Sequence, residues 1–341
     1  MEKLKEDKTD FELGNKTFGA FSISALFVHS PNIENLWRLD ALGIRDPTDC
    51  KNLEQDALDT FEKTVRINDE GRYEIRLPRL EGFEDLDSNL ETAKQKCRST
   101  TKKLLRENKY FEYDAVFKEW LEEQIIEAVP LRKIDKPAHY LPRRGVYKEH
   151  STTKVFPVFD ASCKTKQMRS INDFLLKGPN LLEQIPPLLN NFCKDIIGVT
   201  SDIKKAFLQI SVANEDRDFL RFLWWENIDE REFRTFRHNR LVFGLNCSPF
   251  LLSSVLNHLI ATYSSQFPET CTILRNAFYV DNCVTYVPDE KKLNQFIHES
   301  TYLMNVGCFD LRGWEYTTQK FEEKSEPISV LGLLWDKHED V

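Results

Sequence analysis

Residues 277–287, AFYVDNCVTYV, hold two apolar arms around an acid and an amide. Phe278, Tyr279 and Val280 precede the break, and Val284, Tyr286 and Val287 follow it. Aromatic and β-branched residues on either side of a short polar pair specify a hairpin, because Asp and Asn tolerate the left-handed backbone angles of a tight turn. Asp281-Asn282 is therefore expected to be the turn itself. Turn chemistry leaves one thing unexplained, a lone carboxylate at the tip of an otherwise apolar ribbon.

The second half of the chain alternates strands and helices. DIIGVTSDIKKAF (195–207) opens as a buried strand, and FLRFLWWE (219–226) and EFRTFRHNRLVFG (232–244) read as strands with a turn at His238-Asn239. SPFLLSSVLNHLIATY (248–263) has a proline at its start and Leu252, Val255, Leu256 and Leu259 at helical spacing. EKKLNQFIHESTYLMNVG (290–307) is a second helix that buries Leu293, Phe296, Ile297, Tyr302 and Leu303 and stops at Gly307. PISVLGLLWD (327–336) reads as a last strand.

In the first half, residues 1–60 read as acidic and irregular around one apolar cluster, LWRLDALGI (36–44). Tyr73, Ile75 and Leu77 alternate in a strand that stops at Pro78. Residues 87–108 read as helical, and YDAVFKEWLEEQIIEAV (113–129) as an amphipathic helix ended by Pro130. This order predicts an α+β fold, with helices packed on one face of a largely antiparallel sheet.

Charge is segregated. The net charge of -8 argues against a generic nucleic-acid coat, yet residues 131–169 hold ten Lys and Arg against three Asp and Glu, a local +7. Because this stretch also contains the strand-like KVFPVFD, two readings stay open: a solvated loop face, or a basic surface over a sheet edge that suits phosphate backbones. The eight cysteines never approach CxxC spacing, which predicts reduced thiols and excludes a zinc or disulfide framework. The opening MEKLKEDKTD is too charged for a signal peptide, and FGAFSISALFV is too short to span a bilayer. A cytoplasmic or nuclear protein with no membrane association is expected.

Asp202 ends the apolar run IIGVTSD, matching the place of Asp281 in FYVDN. If those strands are neighbours, both carboxylates emerge at one sheet edge, where they repel unless a cation lies between them. Oxygen-ligated divalent ions, Mg²⁺ foremost, suit such a pair, with substrate phosphates filling the remaining positions. Either aspartate alone is weak evidence, since an Asp after a strand is more often a helix cap or turn residue.

SDIKKAFLQI, LVFGLNCSPF and FYVDN, in that order, resemble the palm motifs of a reverse transcriptase. LWRLDALGI, DEGRYEIRLP, AHYLPRRGVYKEHSTTK and VFDASCKTKQMRSINDFLLKGPNLL resemble the polyprotein of BEL/Pao-class LTR retrotransposons outside the palm. The resemblance covers roughly residues 33–336. It implies right-hand fingers and palm with the thumb largely absent, in a fragment of a polyprotein. Residues 1–32 would be an irregular N-terminal segment (a protease-region tail), 33–110 an N-terminal extension, 111–190 the fingers and 191–341 the palm, ending near a primer-grip-like strand.

By the same resemblance, Asp202 and Asp281 would hold two Mg²⁺ (or Mn²⁺) ions, and the partners would be an RNA or DNA template-primer and dNTPs. Phe207 matches a steric gate against the ribose 2′-OH, although KKAFLQI needs apolar residues for a core in any case. Phe243, Gly244 and Ser248, with Pro249, match the motif along the template and incoming nucleotide, and Tyr279 and Val280 would flank the primer terminus. Arg132, Lys133, Arg143, Arg144 and Lys148 would contact nucleic acid, and Lys154 would lie near the triphosphate. Two positions depart from the family pattern. Asn282 stands where a second Asp is usual, which keeps the turn and removes a charge from the metal site. Phe156 stands where an Arg usually neutralises the triphosphate, a loss on the order of 1–3 kcal/mol of nucleotide binding. Two functions are therefore open: an RNA-directed DNA polymerase domain, or a catalytically dead nucleic-acid-binding remnant of one.

Overall fold

The structure, a computed structural model, describes residues 47–147, 155–164, 169–192, 194, 196–228, 232–317 and 327–337. The chain divides into two units, Met1–Pro47 and Thr48–Val341, and the elements below belong to the second, with only the first helix reaching back to Pro47. LWRLDALGI lies outside the described residues.

Helix α1 (Pro47–Thr64) leads into β1 (Arg66–Ile67) and β2 (Tyr73–Ile75). Helices α2 (Leu90–Arg106) and α3 (Tyr110–Glu122) follow, then β3 (Ile126–Ala128), β4 (Arg143–Tyr147), β5 (Val155–Phe159) and α4 (Ile185–Phe192). The second half runs β6 (Ile197–Ile203), β7 (Ser211–Val212), β8 (Arg221–Asn227), β9 (Glu232–His238), α5 (Ser248–Thr262) and α6 (Pro268–Leu274). It continues through β10 (Phe278–Tyr279), β11 (Asn282–Val287), α7 (Glu290–Val306), β12 (Leu311–Tyr316), β13 (Ile328–Val330) and β14 (Leu333–Trp335).

The sheet that matters most has the order β10-β11-β6-β12, antiparallel throughout. A second antiparallel sheet is β3-β9-β8, and a third joins β1 and β2 to β7, which runs parallel to β2. The mixed α/β class and the antiparallel sheet agree with the sequence, but helices on one face do not. Residues alternate across a strand. Ile197, Val199 and Ile203 of β6, with Cys283 and Val287 of β11, enter the main core beside residues of α5 and α7. Val284, by contrast, joins Phe192 of α4, Val330 and Trp335 in a second cluster. On that side a β-carbon at Gly198 would lie 3.0 Å from the Phe192 ring and 3.2 Å from the Trp335 ring. The sheet is covered on both faces, by α5 and α7 on one and by α4 with the β13–β14 ladder on the other.

Several local expectations are corrected by backbone chemistry. The stretch expected to be irregular, 1–60, is helical from Pro47 onward, where α1 begins. The helix expected over 113–129 begins at Tyr110 and ends at Glu122, where Gln124 turns left-handed (φ 54°) and Ile125 N–H donates to Trp120 O at 2.9 Å. That is a Schellman-type stop. The β-branched Ile126 then starts a strand on β9, in keeping with the extended preference that Pro130 imposes just before itself. The expected last strand is two, β13 and β14, turned at Leu331 and Gly332, both with positive φ. Tyr302, expected in the core, is half exposed on α7. Helix α6 and strand β12 were not foreseen.

Candidate active site

Strand β6 runs through the middle of the four-stranded sheet and is buried along its length except at Asp202. There the carboxylate side chain is 48% exposed. Its register partners are Asn282 on β11 and Arg312 on β12, so all three side chains stand on the α4 face at one sheet edge. Asp281 sits one residue before Asn282, and its carbonyl accepts a hydrogen bond from Ile203 N–H at 2.9 Å. The two aspartate-bearing segments are thus tied together by backbone, as neighbouring strands require.

The hairpin turn is shifted by one residue from the expected pair. Tyr279 pairs with Asn282, so the two loop residues are Val280 and Asp281, and Asn282 is the first residue of β11. The left-handed angle falls on Val280 (φ 56°). A β-branched residue there is strained, a state that persists only where the surroundings over-determine it. Asn282 is exposed, and its Nδ2 donates to Asp281 Oδ1 at 3.1 Å. Its Oδ1 is thereby turned away from Asp281.

Past Asp202 the chain is bent by Lys205, which has φ 50° and whose ammonium reaches Glu119 of α3 at 2.6 Å and Glu123, just past the end of α3, at 3.0 Å. This bend delivers Phe207, half-buried against the core, with its ring centroid 5.9 Å from that of Phe243. Phe243 is 63% exposed. A β-carbon on Gly244 (φ 120°) would sit 2.2 Å from Phe159 O, so only glycine lets this loop lie against the end of β5. The loop is clamped by Asn172, a residue that sequence reasoning did not single out. Asn172 Nδ2 donates to Gly244 O (3.1 Å), and its Oδ1 accepts from Asn246 N–H (2.9 Å). Asn246 Nδ2 returns a bond to Asn172 O at 2.9 Å.

Two expected contact residues turn out to be structural. Ser248 is buried, with its hydroxyl donating to Val242 O at 2.7 Å, because it opens α5 and closes the preceding turn. Arg143 is buried too, donating to Leu223 O, with its guanidinium carbon 4.4 Å from the Trp224 ring centroid and 5.1 Å from that of Phe117. It cannot face a nucleic acid from there. Arg132 and Arg144 are exposed, and Lys133 is partly so. Lys148 and Lys154 lie outside the described residues, and of Phe156 only the backbone is described, paired with Val146. Tyr279 is half-buried on β10.

Nucleophilic thiol chemistry has no place here. Burial pushes the Cys283 and Cys247 thiols up to about 12, so both are core groups. All cysteines whose side chains are described are free, as the spacing predicted. The donors at the sheet edge are instead oxygens: two carboxylates and an amide carbonyl. Among the described residues no cluster of three or more His, Cys, Asp or Glu is gathered for a metal. Two carboxylates are nevertheless the protein share usual for Mg²⁺, which binds through one or two of them and leaves its other positions to water and phosphate. The donor set fits that ion. Gly313 makes room for the Asp202 carboxylate itself, since a β-carbon there would lie 2.8 Å from its Oδ1.

Over residues 153–333, more than half of the sequence, the chain matches the family described as Reverse transcriptase (RNA-dependent DNA polymerase). The chain belongs to the reverse transcriptase family. The family match contains both aspartates, Phe207 and the Phe243–Gly244 loop. Among solved structures, a prototype foamy virus protease–reverse transcriptase (a CSH mutant) is similar at 15% identity with a TM-score of 0.43. That likeness covers 57% of this chain and spans 22% of the foamy virus chain. A search of curated proteins found no match. No helix among the described residues is long and apolar enough to cross a membrane.

Proposed function

We propose that this chain is the fingers and palm of a BEL/Pao-class retrotransposon reverse transcriptase, an RNA-directed DNA polymerase acting on an RNA or DNA template-primer and dNTPs. In this reading residues 111–190 are the fingers and 191–341 the palm, preceded by an N-terminal extension over 33–110. One observation carries it: Asp202 stands directly across the sheet from the residue following Asp281, within a family match that spans both. Asp202 and Asp281 would hold Mg²⁺ or Mn²⁺, which when bound activates the primer 3′-OH and stabilises the leaving pyrophosphate. The chain's own residues do the rest. The Phe207–Phe243 pair forms an apolar wall against the nucleotide sugar, the Gly244 loop brings backbone close to the nucleotide, and the strained Val280 fixes the tip that meets the primer end.

A second reading is a nucleic-acid-binding remnant without chemistry. Asn282 in place of an acid, with Arg312 beside Asp202, favours it, because together they leave the site little negative charge. Primer extension on poly(rA)/oligo(dT) with Mg²⁺ or Mn²⁺ separates the two. Extension that is abolished by Asp202→Asn and by Asp281→Asn is the expected result. Salt-sensitive primer-template binding without extension would replace the first reading by the second.

A further inference from the structure

Arg312 occupies a position that the polymerase reading leaves without a role. It is the register partner of Asp202 on the side opposite Asn282, and its Nε lies 3.7 Å from Asp202 Oδ2. The contact is built by the strand. β12 pairs regularly at Leu311 and Arg312, then shifts register before Glu315, and Gly313 within the irregularity has φ 63°. Any larger residue at 313 would strike the Asp202 carboxylate, so the bulge sets β12 close enough for its arginine to reach that oxygen. Both partners are partly exposed, 38% for Arg312 and 48% for Asp202, so the guanidinium can swing into solvent without leaving a buried charge behind.

We infer that Arg312 is a built-in counter-ion that competes with divalent cations for Asp202. This rests on the two-aspartate metal reading given above. Two carboxylates close together need positive charge nearby, which an ion, an arginine or both in turn can supply. In the ion-free protein the guanidinium serves Asp202, while Asn282 contributes no charge of its own. A divalent cation must then displace Arg312 or tolerate it as a like-charged neighbour, and either course weakens binding. The site thereby holds the ion more weakly until the triphosphate of a nucleotide adds negative charge of its own.

The test is Mn²⁺ binding to the full chain without primer or nucleotide, read from the free-ion electron paramagnetic resonance signal at low salt. Arg312→Gln and Arg312→Met should each tighten Mn²⁺ binding about three- to tenfold, the scale of one partly screened charge. Arg312→Lys, which keeps the charge, should stay within about twofold of the parent chain. Asp202→Asn and Asp281→Asn should abolish binding. If both neutral Arg312 variants bind Mn²⁺ no more tightly than the parent while Asp202→Asn still abolishes binding, the counter-ion inference is overturned and the metal site stands. If neither aspartate variant changes binding, the metal reading itself fails, and the inference falls with it.

Discussion

Asn282 is the residue at which charge and stability should trade most visibly. It faces Asp202 directly across two antiparallel strands, where like charges destabilise. Asn282→Asp should therefore lower the ion-free stability by about 0.5–1 kcal/mol at low salt. Saturating Mn²⁺ should restore it and raise Tm above that of the equally loaded parent, because a third carboxylate strengthens the ion site. A melting-temperature series with and without Mn²⁺ measures both effects. Gly244 is constrained by sterics instead. Gly244→Ala should cost about 2 kcal/mol or more in chemical denaturation, since both its φ and the nearby Phe159 carbonyl oppose a β-carbon. At this scale the sequence shows the two aspartates, the Phe207–Phe243 pair and the glycine, because each sits in a motif with its own local chemistry. It does not show Asn172 or Arg312. Their roles depend on bonds to segments far along the chain, and nothing local in INDF or LRGW announces those partners.

Elements held together by a single buried group give the next predictions. Asp216 is fully buried between β7 and β8, and one of its oxygens accepts from Arg76 Nε and Leu77 N–H, both at 2.9 Å. The other pairs with Arg79, so one carboxylate joins the segment after β2 to the approach to β8. Asp216→Ala leaves Leu77 N–H and two partly buried guanidiniums without their anion, and should cost about 3 kcal/mol or more. Urea denaturation measures it, and a loss under about 1 kcal/mol would mean that the arginines find other partners. Element prediction succeeded where the period was long or the caps were local. Helix α7 is one case, with Asp289 Oδ1 accepting from Lys292 N–H at its start. It failed where a strand is short and wet. β12 reads LRGWEY, with its two charges three places apart and a glycine between them, which no period-2 rule recovers. Side-chain preference places the turn at Asp281-Asn282, but the tertiary register moves it to 280–281 and puts the left-handed angle on Val280.

For the molecule as a whole, the pH dependence of stability should centre on one histidine. His238 ends β9 in the middle of an aromatic cluster formed by Trp120 of α3, Phe159 of β5 and Phe222 of β8. Its Phe159 neighbour meets it edge-on at 4.4 Å. The ring is fully buried, and neither nitrogen has a hydrogen-bond partner among the described residues. Burial, with the nearby Arg143 guanidinium, pushes its pKa down to about 3. Unfolded, the same side chain titrates near 6.5. Above that value the imidazole is neutral in both states and contributes no slope. Below it the unfolded chain takes up a proton that the native core refuses, so stability falls as pH falls from about 6.5 towards 3, by up to about 1.4 kcal/mol per unit. His139 adds to the trend in the same direction, because burial lowers its pKa as well. His238→Phe keeps an aromatic ring in the cluster and removes the titration. The expected result is unfolding free energy similar to the parent at pH 7.5 and higher than the parent at pH 4.5, with a slope between them shallower by about one proton. Identical slopes for the two proteins, measured by urea titration across that range, would show that the core admits the proton and that the acid sensitivity lies elsewhere.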